Sequence, residues 1–293
     1  MMSAEDGPRS IGDFHCHSSR SDGTLAPAQL VDLAARHGVR WLALTDHDTL
    51  DGLEEAQAAA GRHPGMRLVP GVELSCDVPG TEVHIIGLFV DPSHHPFWEA
   101  IDHMRFTRIE RGRRITEALA GLGAPVSWSR VQEIAGDASI GRPHIARALI
   151  EGGHVADVDE AFERYLGSDS PAYVPRERVE PERAIALIGE AGGVAIFAHP
   201  GFTEDFGPIA ERLTAAGLFG VEVYYRDYPP EQVAELRALA DRLGLVPSGG
   251  SDFHGLPRAR EVEPGCFAFP DAGVERLLAE AAANGCHVPE AAA

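Results

Sequence analysis

Six histidines and three carboxylates stand at or near the ends of apolar runs: His15, His17, Asp22, His47, Glu73, His84, His199, Asp252 and His254. Imidazole and carboxylate are ligands for borderline and hard divalent cations. One zinc ion needs only three or four such groups, so nine of them converging would hold more than one metal. The surplus points to a multinuclear hydrolytic centre. His15 and His17 lie two apart, so on a strand their side chains leave the same face while Cys16 turns to the other. Asp252 and His254 repeat that spacing late in the chain. Taken singly, each residue has a plainer reading: His199, before Pro200 and Gly201, could end a strand, and Asp46 and Asp48 could cap a turn. The joint pattern carries the inference. The other histidines, at 37, 63, 94, 95, 103, 154 and 287, receive no role.

Apolar runs that alternate with helical periodicity must position these groups. Strands are expected at 11–16, 41–45, 67–74, 82–90, 194–198, 220–225 and 245–248, and helices at 27–37, 51–60, 181–190, 209–216 and 231–243. This is the signature of repeated βα units and a largely parallel sheet. In an α/β barrel the carboxyl ends of the strands form the active-site mouth. Between 93 and 175 the strand signal disappears in favour of helices at 96–121, 128–135, 143–151 and 157–166. The reading is a barrel made of 1–92 and 176–293 that carries an inserted helical subdomain at 93–175. The tract 291–293 reads as a frayed end.

Composition narrows the partners. The 293 residues carry a formal charge of −20, which argues against a duplex-DNA footprint. All 25 basic residues are arginine, so Schiff-base and P-loop lysine chemistry are excluded. Any anion clamp must use the planar arginine fork. No apolar run approaches the roughly 18 to 20 residues of a membrane span. Residues 1–10 lack a signal-peptide core, and a cytoplasmic protein is expected. Cys16, Cys76, Cys266 and Cys286 show no CxxC pairing and read as reduced thiols.

The order HxH, SDG, TDHD, GVE, VHIIG, AHPG and GSDFH, from Asp13 to His254, resembles the PHP (polymerase and histidinol phosphatase) superfamily. That resemblance implies a distorted (β/α)7 barrel holding three divalent metals, with manganese, iron and zinc all compatible. Carried over by motif, His15 and His17 would bind the first metal, with Glu73 and Asp252 nearby. Glu73 would bridge to a second, also held by His84 and His199. Asp22, His47 and His254 would hold the third. The segments around Arg108–Arg111 and Gly141–His144 resemble stand-alone members that act on nucleoside 3′,5′-bisphosphates, whose relatives also trim the 5′ ends of short RNAs. By that similarity Arg108, Arg111, Arg142 and His144 would contact substrate phosphates. For His144 a helix-start hydrogen bond is an equal alternative, and exposed helix arginines are often solvated or paired with glutamate.

The expected chemistry is metal-activated hydroxide attack on phosphorus, with Glu73, Asp22 and His47 acting through the metals. Three dications against three carboxylates leave a net positive pocket in an acidic protein. The leading substrate is a nucleoside 3′,5′-bisphosphate such as 3′-phosphoadenosine 5′-phosphate, losing its 3′-phosphate. Alternatives are a 5′–3′ exoribonuclease on short RNA, a histidinol-phosphate-type phosphatase, and a non-catalytic metal-binding regulatory module. The segment 255–264 is expected beside the site, with Arg258 and Arg260 unassigned. Tyr224, Tyr225 and Phe202 are candidates to stack on a base, though packing fits them equally.

Overall fold

The computed structural model describes residues 7–78, 81–167, 170–175, 179–256 and 261–289. Arg258, Arg260, the 176–178 boundary and the tract 291–293 lie outside the described residues. In chain order come β1 (Gly12–Asp13), α1 (Pro27–Arg36), β2 (Trp41–Leu44), α2 (Leu53–Ala60), β3 (Arg67–Val78) and β4 (Thr81–Leu88). Then follow α3 (His95–Gly121), α4 (Trp128–Ala135), α5 (Arg142–Glu151) and α6 (Val158–Ala161), which runs on into a π-helical turn at Phe162–Leu166. The chain returns to the sheet through α7 (Pro181–Glu190), β5 (Val194–Phe197), α8 (Phe206–Ala215), β6 (Gly220–Tyr225), α9 (Pro230–Leu243), β7 (Val246–Gly250) and α10 (Asp271–Ala283).

The seven strands lie in sequence order in one sheet. Its two edges meet: Phe14 N–H donates to Gly249 O at 3.1 Å, Asp252 N–H to His15 O at 2.8 Å, and Cys16 bridges Phe253 in parallel. The sheet thereby rolls into a seven-stranded barrel. All pairings are parallel except those of β4, which is antiparallel to both β3 and β5. A parallel partner needs a crossover of a dozen or more residues. Val78 and Thr81 are too close for one, so β4 has to turn back. Its first half therefore lies at the barrel mouth, which is why His84, in that half, can join groups from the other strands there.

The barrel interior and its helix-facing side are filled by apolar side chains, among them Val72, Leu74, Ile85, Ile196, Phe197 and Val221. The helix α3 has 27 residues, about 40 Å at 1.5 Å per residue, and serves two cores. Phe97, Ile101 and Met104 at its start pack on the barrel. Ile115 and Leu119 near its end join Val131, Leu149, Val158 and Leu166 in a separate cluster formed by α3–α6 and the segment after them. The last helix, α10, was not anticipated from the alanine-rich sequence. It buries Val274, Leu277 and Ala281 against the barrel core. No helix among the described residues is long and apolar enough to cross a membrane.

Candidate metal centre

All nine groups singled out in the sequence meet at the barrel mouth. His15 and His17 extend from β1, with ring centroids 5.1 Å apart. His15 Nε2 lies 3.3 Å from both Glu73 Oε2 and Asp252 Oδ1. His17 Nε2 lies 3.2 and 3.1 Å from the same two oxygens. Glu73, on β3, also stands 2.7 Å from His84 Nδ1 and 3.1 Å from His199 Nε2 through Oε1. Beyond β2, His47 faces Glu73 Oε2 with Nδ1 at 3.1 Å and Asp22 Oδ2 with Nε2 at 3.7 Å. Asp22 Oδ1 is 3.2 Å from His254 Nε2.

Among these nine groups, three sets of donor atoms lie within 4.8 Å of one another: His15/His17/Glu73/Asp252, His17/Asp22/His47/His254 and His47/Glu73/His84. The sets share His17, His47 and Glu73, so the ligands interlock more closely than three separate groups would. Metal bonds of about 2.1 Å in a tetrahedral site put ligand atoms about 3.4 Å apart, close to these spacings. The observation for fit is that His15 Nε2, both ring nitrogens of His17 and His47 Nδ1 are buried and make no well-aligned hydrogen bond, although carboxylate oxygens stand 3.1–3.3 Å from three of the four. Buried polar atoms are normally satisfied. In each set, nitrogens and carboxylate oxygens crowd within 4.8 Å of one another, a donor set that divalent cations would satisfy, while Glu73 Oε1 also stands within hydrogen-bond distance of His84 and His199.

The imidazoles and carboxylates of the cluster shift one another's protonation. Burial opposes charge on His15, but Glu222, Glu73 and Asp252 outweigh it and hold its pKa well above the usual imidazole value. His17 is likewise desolvated, yet Asp252 and Glu73 lift it to about 10. Burial also works against the charge of Asp22, Glu73 and Asp252, and the surrounding imidazoles overcome it, so all three stay ionised. Burial pulls His47 the other way, below the usual imidazole value, against the opposing pull of Glu73 and Asp22.

An outer ring of residues not singled out in the sequence fixes these side chains. Glu222, almost fully buried on β6, approaches His15 Nδ1 with Oε1 at 3.1 Å and accepts the His199 backbone N–H through Oε2 at 2.7 Å. Tyr225 Oη donates to Asp252 Oδ2 at 2.6 Å. Arg226 Nη1 donates to the carbonyls of Ser251 and Asp252, and Glu261 accepts the backbone N–H groups of His254 and Gly255. Asp13 receives the N–H groups of Ser251 and Gly265. A signal was available: a glutamate inside the apolar run Gly220–Tyr225 has no place in a core strand unless something there needs its charge. Gly250 is equally constrained, since a Cβ there would stand 2.2 Å from His15 Cβ and 2.9 Å from Glu222 Oε1. Asp48, His199 and Asp252 adopt left-handed backbone angles, with φ of 48°, 30° and 48°. Such strain persists where the surroundings over-determine it.

The arginines border the same mouth. Arg108, Arg111 and Arg142 line a cavity of about 170 Å³ together with Asp22, His47, Ser75, His84 and His254. Arg108 is held from behind by Asp48 and by Ser75 Oγ, Arg111 by the Val174 carbonyl at 2.7 Å, and Arg142 by the Leu166 carbonyl at 3.2 Å. His144 takes the helix-start role: its Nδ1 accepts the Gly141 N–H at 3.0 Å, and burial holds it neutral with a pKa of about 4. Asp46 receives Ser18 and Ser21, tying down the loop that carries Asp22.

Residues 13–166 match the PHP domain. Over 252 residues, 83% of this chain and 86% of the other, the sequence is 37% identical to a 3′,5′-nucleoside bisphosphate phosphatase of Chromobacterium violaceum. The chain belongs to the PHP domain family. It is equally similar, 37% over 246 residues, to a 5′-3′ exoribonuclease of Haemophilus influenzae, spanning 83% of this chain and 89% of that one. Among solved structures, a protein of Bifidobacterium adolescentis described as a metal-dependent phosphoesterase superposes with a TM-score of 0.84 at 32% identity, covering 94% of this PHP chain and 97% of its own.

Proposed function

We propose that this PHP-family chain is a metal-dependent phosphoesterase that removes the 3′-phosphate from nucleoside 3′,5′-bisphosphates such as 3′-phosphoadenosine 5′-phosphate. The observation that carries the reading is the shared cavity, in which three arginines border four of the candidate metal ligands. A substrate with two phosphates has a use for both ends of that cavity. Its 3′-phosphate would occupy the His/carboxylate cluster. Its 5′-phosphate would meet Arg108, Arg111 and Arg142, donated by the helices α3 and α5, which act as a substrate-recognition subdomain within 93–175.

In this reading His15, His17, Asp22, His47, Glu73, His84, His199, Asp252 and His254 hold up to three divalent ions, with manganese as the first choice and iron or zinc as the others. Divalent cations held there would lower the pKa of water and neutralise charge that develops on the phosphoryl oxygens. Glu73 sets the spacing of the cluster by presenting one oxygen to His15, His17 and His47 and the other to His84 and His199. Asp22 and His47 stand beside the arginines and complete the cluster where the phosphoryl group enters. The arginines orient the nucleotide and exclude the wrong end.

The exoribonuclease reading uses the same bond. In a bisphosphate the P–O3′ bond breaks, phosphorus takes the hydroxyl of water and O3′ takes a proton, releasing inorganic phosphate. In a 5′-phosphorylated RNA the same cleavage releases a nucleoside 5′-monophosphate and leaves a 5′-phosphate on the shortened strand. The equal similarity to the exoribonuclease of Haemophilus influenzae supports keeping this second substrate. The test is a product panel with manganese across a nucleoside 3′,5′-bisphosphate, the 3′- and 5′-monophosphates, and short 5′-phosphorylated RNA. Preference for substrates that carry a 5′-phosphate besides the scissile one is expected. Equal turnover of AMP or a sugar phosphate would sink the two-phosphate clamp.

A further inference from the structure

Phe202 is the most exposed large apolar side chain among the described residues, at 65%, and it is not loosely held. It ends the short 3-10 turn Pro200–Phe202 that directly follows His199. Its ring packs 5.4 Å from Tyr225 and 5.8 Å from Tyr228, and lies 6.2 Å from the His199 ring, all centroid to centroid. The turn is clamped from both sides: Gly201 N–H donates to Tyr228 Oη at 2.7 Å and Phe202 N–H to His199 O at 3.1 Å. The turn also packs closely: a Cβ on Gly201 would stand 2.3 Å from Gln232 Nε2 and 2.7 Å from Tyr228 Cζ, so those side chains would have to shift to admit one. A fixed aromatic face thus opens to solvent at the edge of the metal centre.

Its position around the rim gives the face a direction. Arg108, the proposed 5′-phosphate contact, is anchored on Asp48, just past β2, and on Ser75 of β3. Phe202 follows β5 and rests on residues at and just past the end of β6. In a closed barrel with strands in the order β1 to β7, these are opposite sides of the mouth. A nucleotide with its 5′-phosphate at the arginines and its 3′-phosphorus at the cluster would direct whatever follows that phosphorus toward Phe202. Nucleobases stack on exposed aromatic side chains without sequence preference.

We infer that Phe202, backed by Tyr225 and Tyr228, is a stacking subsite for the nucleobase that follows the scissile phosphate. This inference rests on the placement of the 5′-phosphate at the arginines. Hydrolysis adds water across the P–O3′ bond, so a 5′-phosphorylated dinucleotide yields two nucleoside 5′-monophosphates.

The experiment compares a 5′-phosphorylated dinucleotide with the same compound lacking its second base, using the metal-loaded wild-type protein, Phe202→Ala and Phe202→Trp. Binding of both compounds is measured by competition, alongside kcat and KM for a nucleoside 3′,5′-bisphosphate. One stacked base corresponds to roughly a 5- to 150-fold preference for the base-bearing compound. That preference is expected in wild-type, lost in Phe202→Ala and restored in Phe202→Trp, with bisphosphate kinetics unmoved. No preference in wild-type, or one that survives Phe202→Ala, would overturn the subsite. Failure to hydrolyse bisphosphates would instead strike the proposed activity and leave the base preference readable from binding.

Discussion

Glu222→Gln is the sharpest perturbation of the outer ring. The carboxylate serves two donors at once, His15 Nδ1–H at 3.1 Å and the His199 backbone N–H at 2.7 Å. Donation through Nδ1 fixes the His15 tautomer that leaves Nε2 as the ligand atom. Glutamine keeps the volume but has a single acceptor oxygen, so one of the two donors must face an NH2 group. A hydrogen bond to a buried charged group contributes about 1.5–3 kcal/mol, a factor of roughly 10 to 150 in an equilibrium constant. That range overlaps the roughly 10- to 100-fold losses typical when a ligand's outer partner is removed. Metal affinity measured by competition against a chelator should fall by that factor. The loss should be largest for the ion held by His15, while the arginine-dependent part of KM stays put. Glu222→Asp, whose shorter side chain can reach only one donor well, should fall between. Unchanged metal affinity in a folded Glu222→Gln protein would refute the positioning role.

Two further outcomes follow from the cluster. Since His17 in the metal-free protein titrates near 10 and His15 well above its ordinary value, loading metal at neutral pH must expel protons. Calorimetry in buffers of different ionisation enthalpy should register their release, and affinity should climb as pH rises toward 10. The sign for the metal-free fold is opposite: stability that His17 contributes is fully present below about 6.5 and is lost as pH rises through about 10. A buffer-independent binding heat would contradict this. Separately, Arg142→Ala should raise KM for a 3′,5′-bisphosphate by about 10- to 150-fold, the value of one charge-assisted contact. It should barely affect a 3′-monophosphate, and a uniform loss on both would remove the 5′-phosphate clamp.

The candidate metal ligands were legible because a metal site would demand rare residue types at or near the ends of apolar runs, and six separate segments deliver them. His15 and His17 could be placed on one face from spacing alone, and Asp252 with His254 likewise. The strands inside the barrel are near-continuous apolar runs and announced themselves for the same reason. Direction was less accessible: nothing in 82–90 says that β4 runs backward, because that follows from the short link to β3. The interlocking of His17, His47 and Glu73 between ligand sets is a three-dimensional fact with no one-dimensional trace. Glu222 hid within a β-branched strand, where its role depends on neighbours 23 and 207 residues away. The helix α10 was obscured by alanines, which favour helix without marking a buried face.

Counting bound metal tests the central claim most directly. Purified protein, stripped with chelator and reloaded separately with manganese, iron and zinc, should be analysed by elemental mass spectrometry after removal of free ion. Up to three divalent ions per chain are expected, with a reduced count in Glu73→Gln, since that residue faces five of the six imidazoles. A folded wild-type protein that retains no divalent ion under any loading condition would contradict the convergence of these nine side chains on metal.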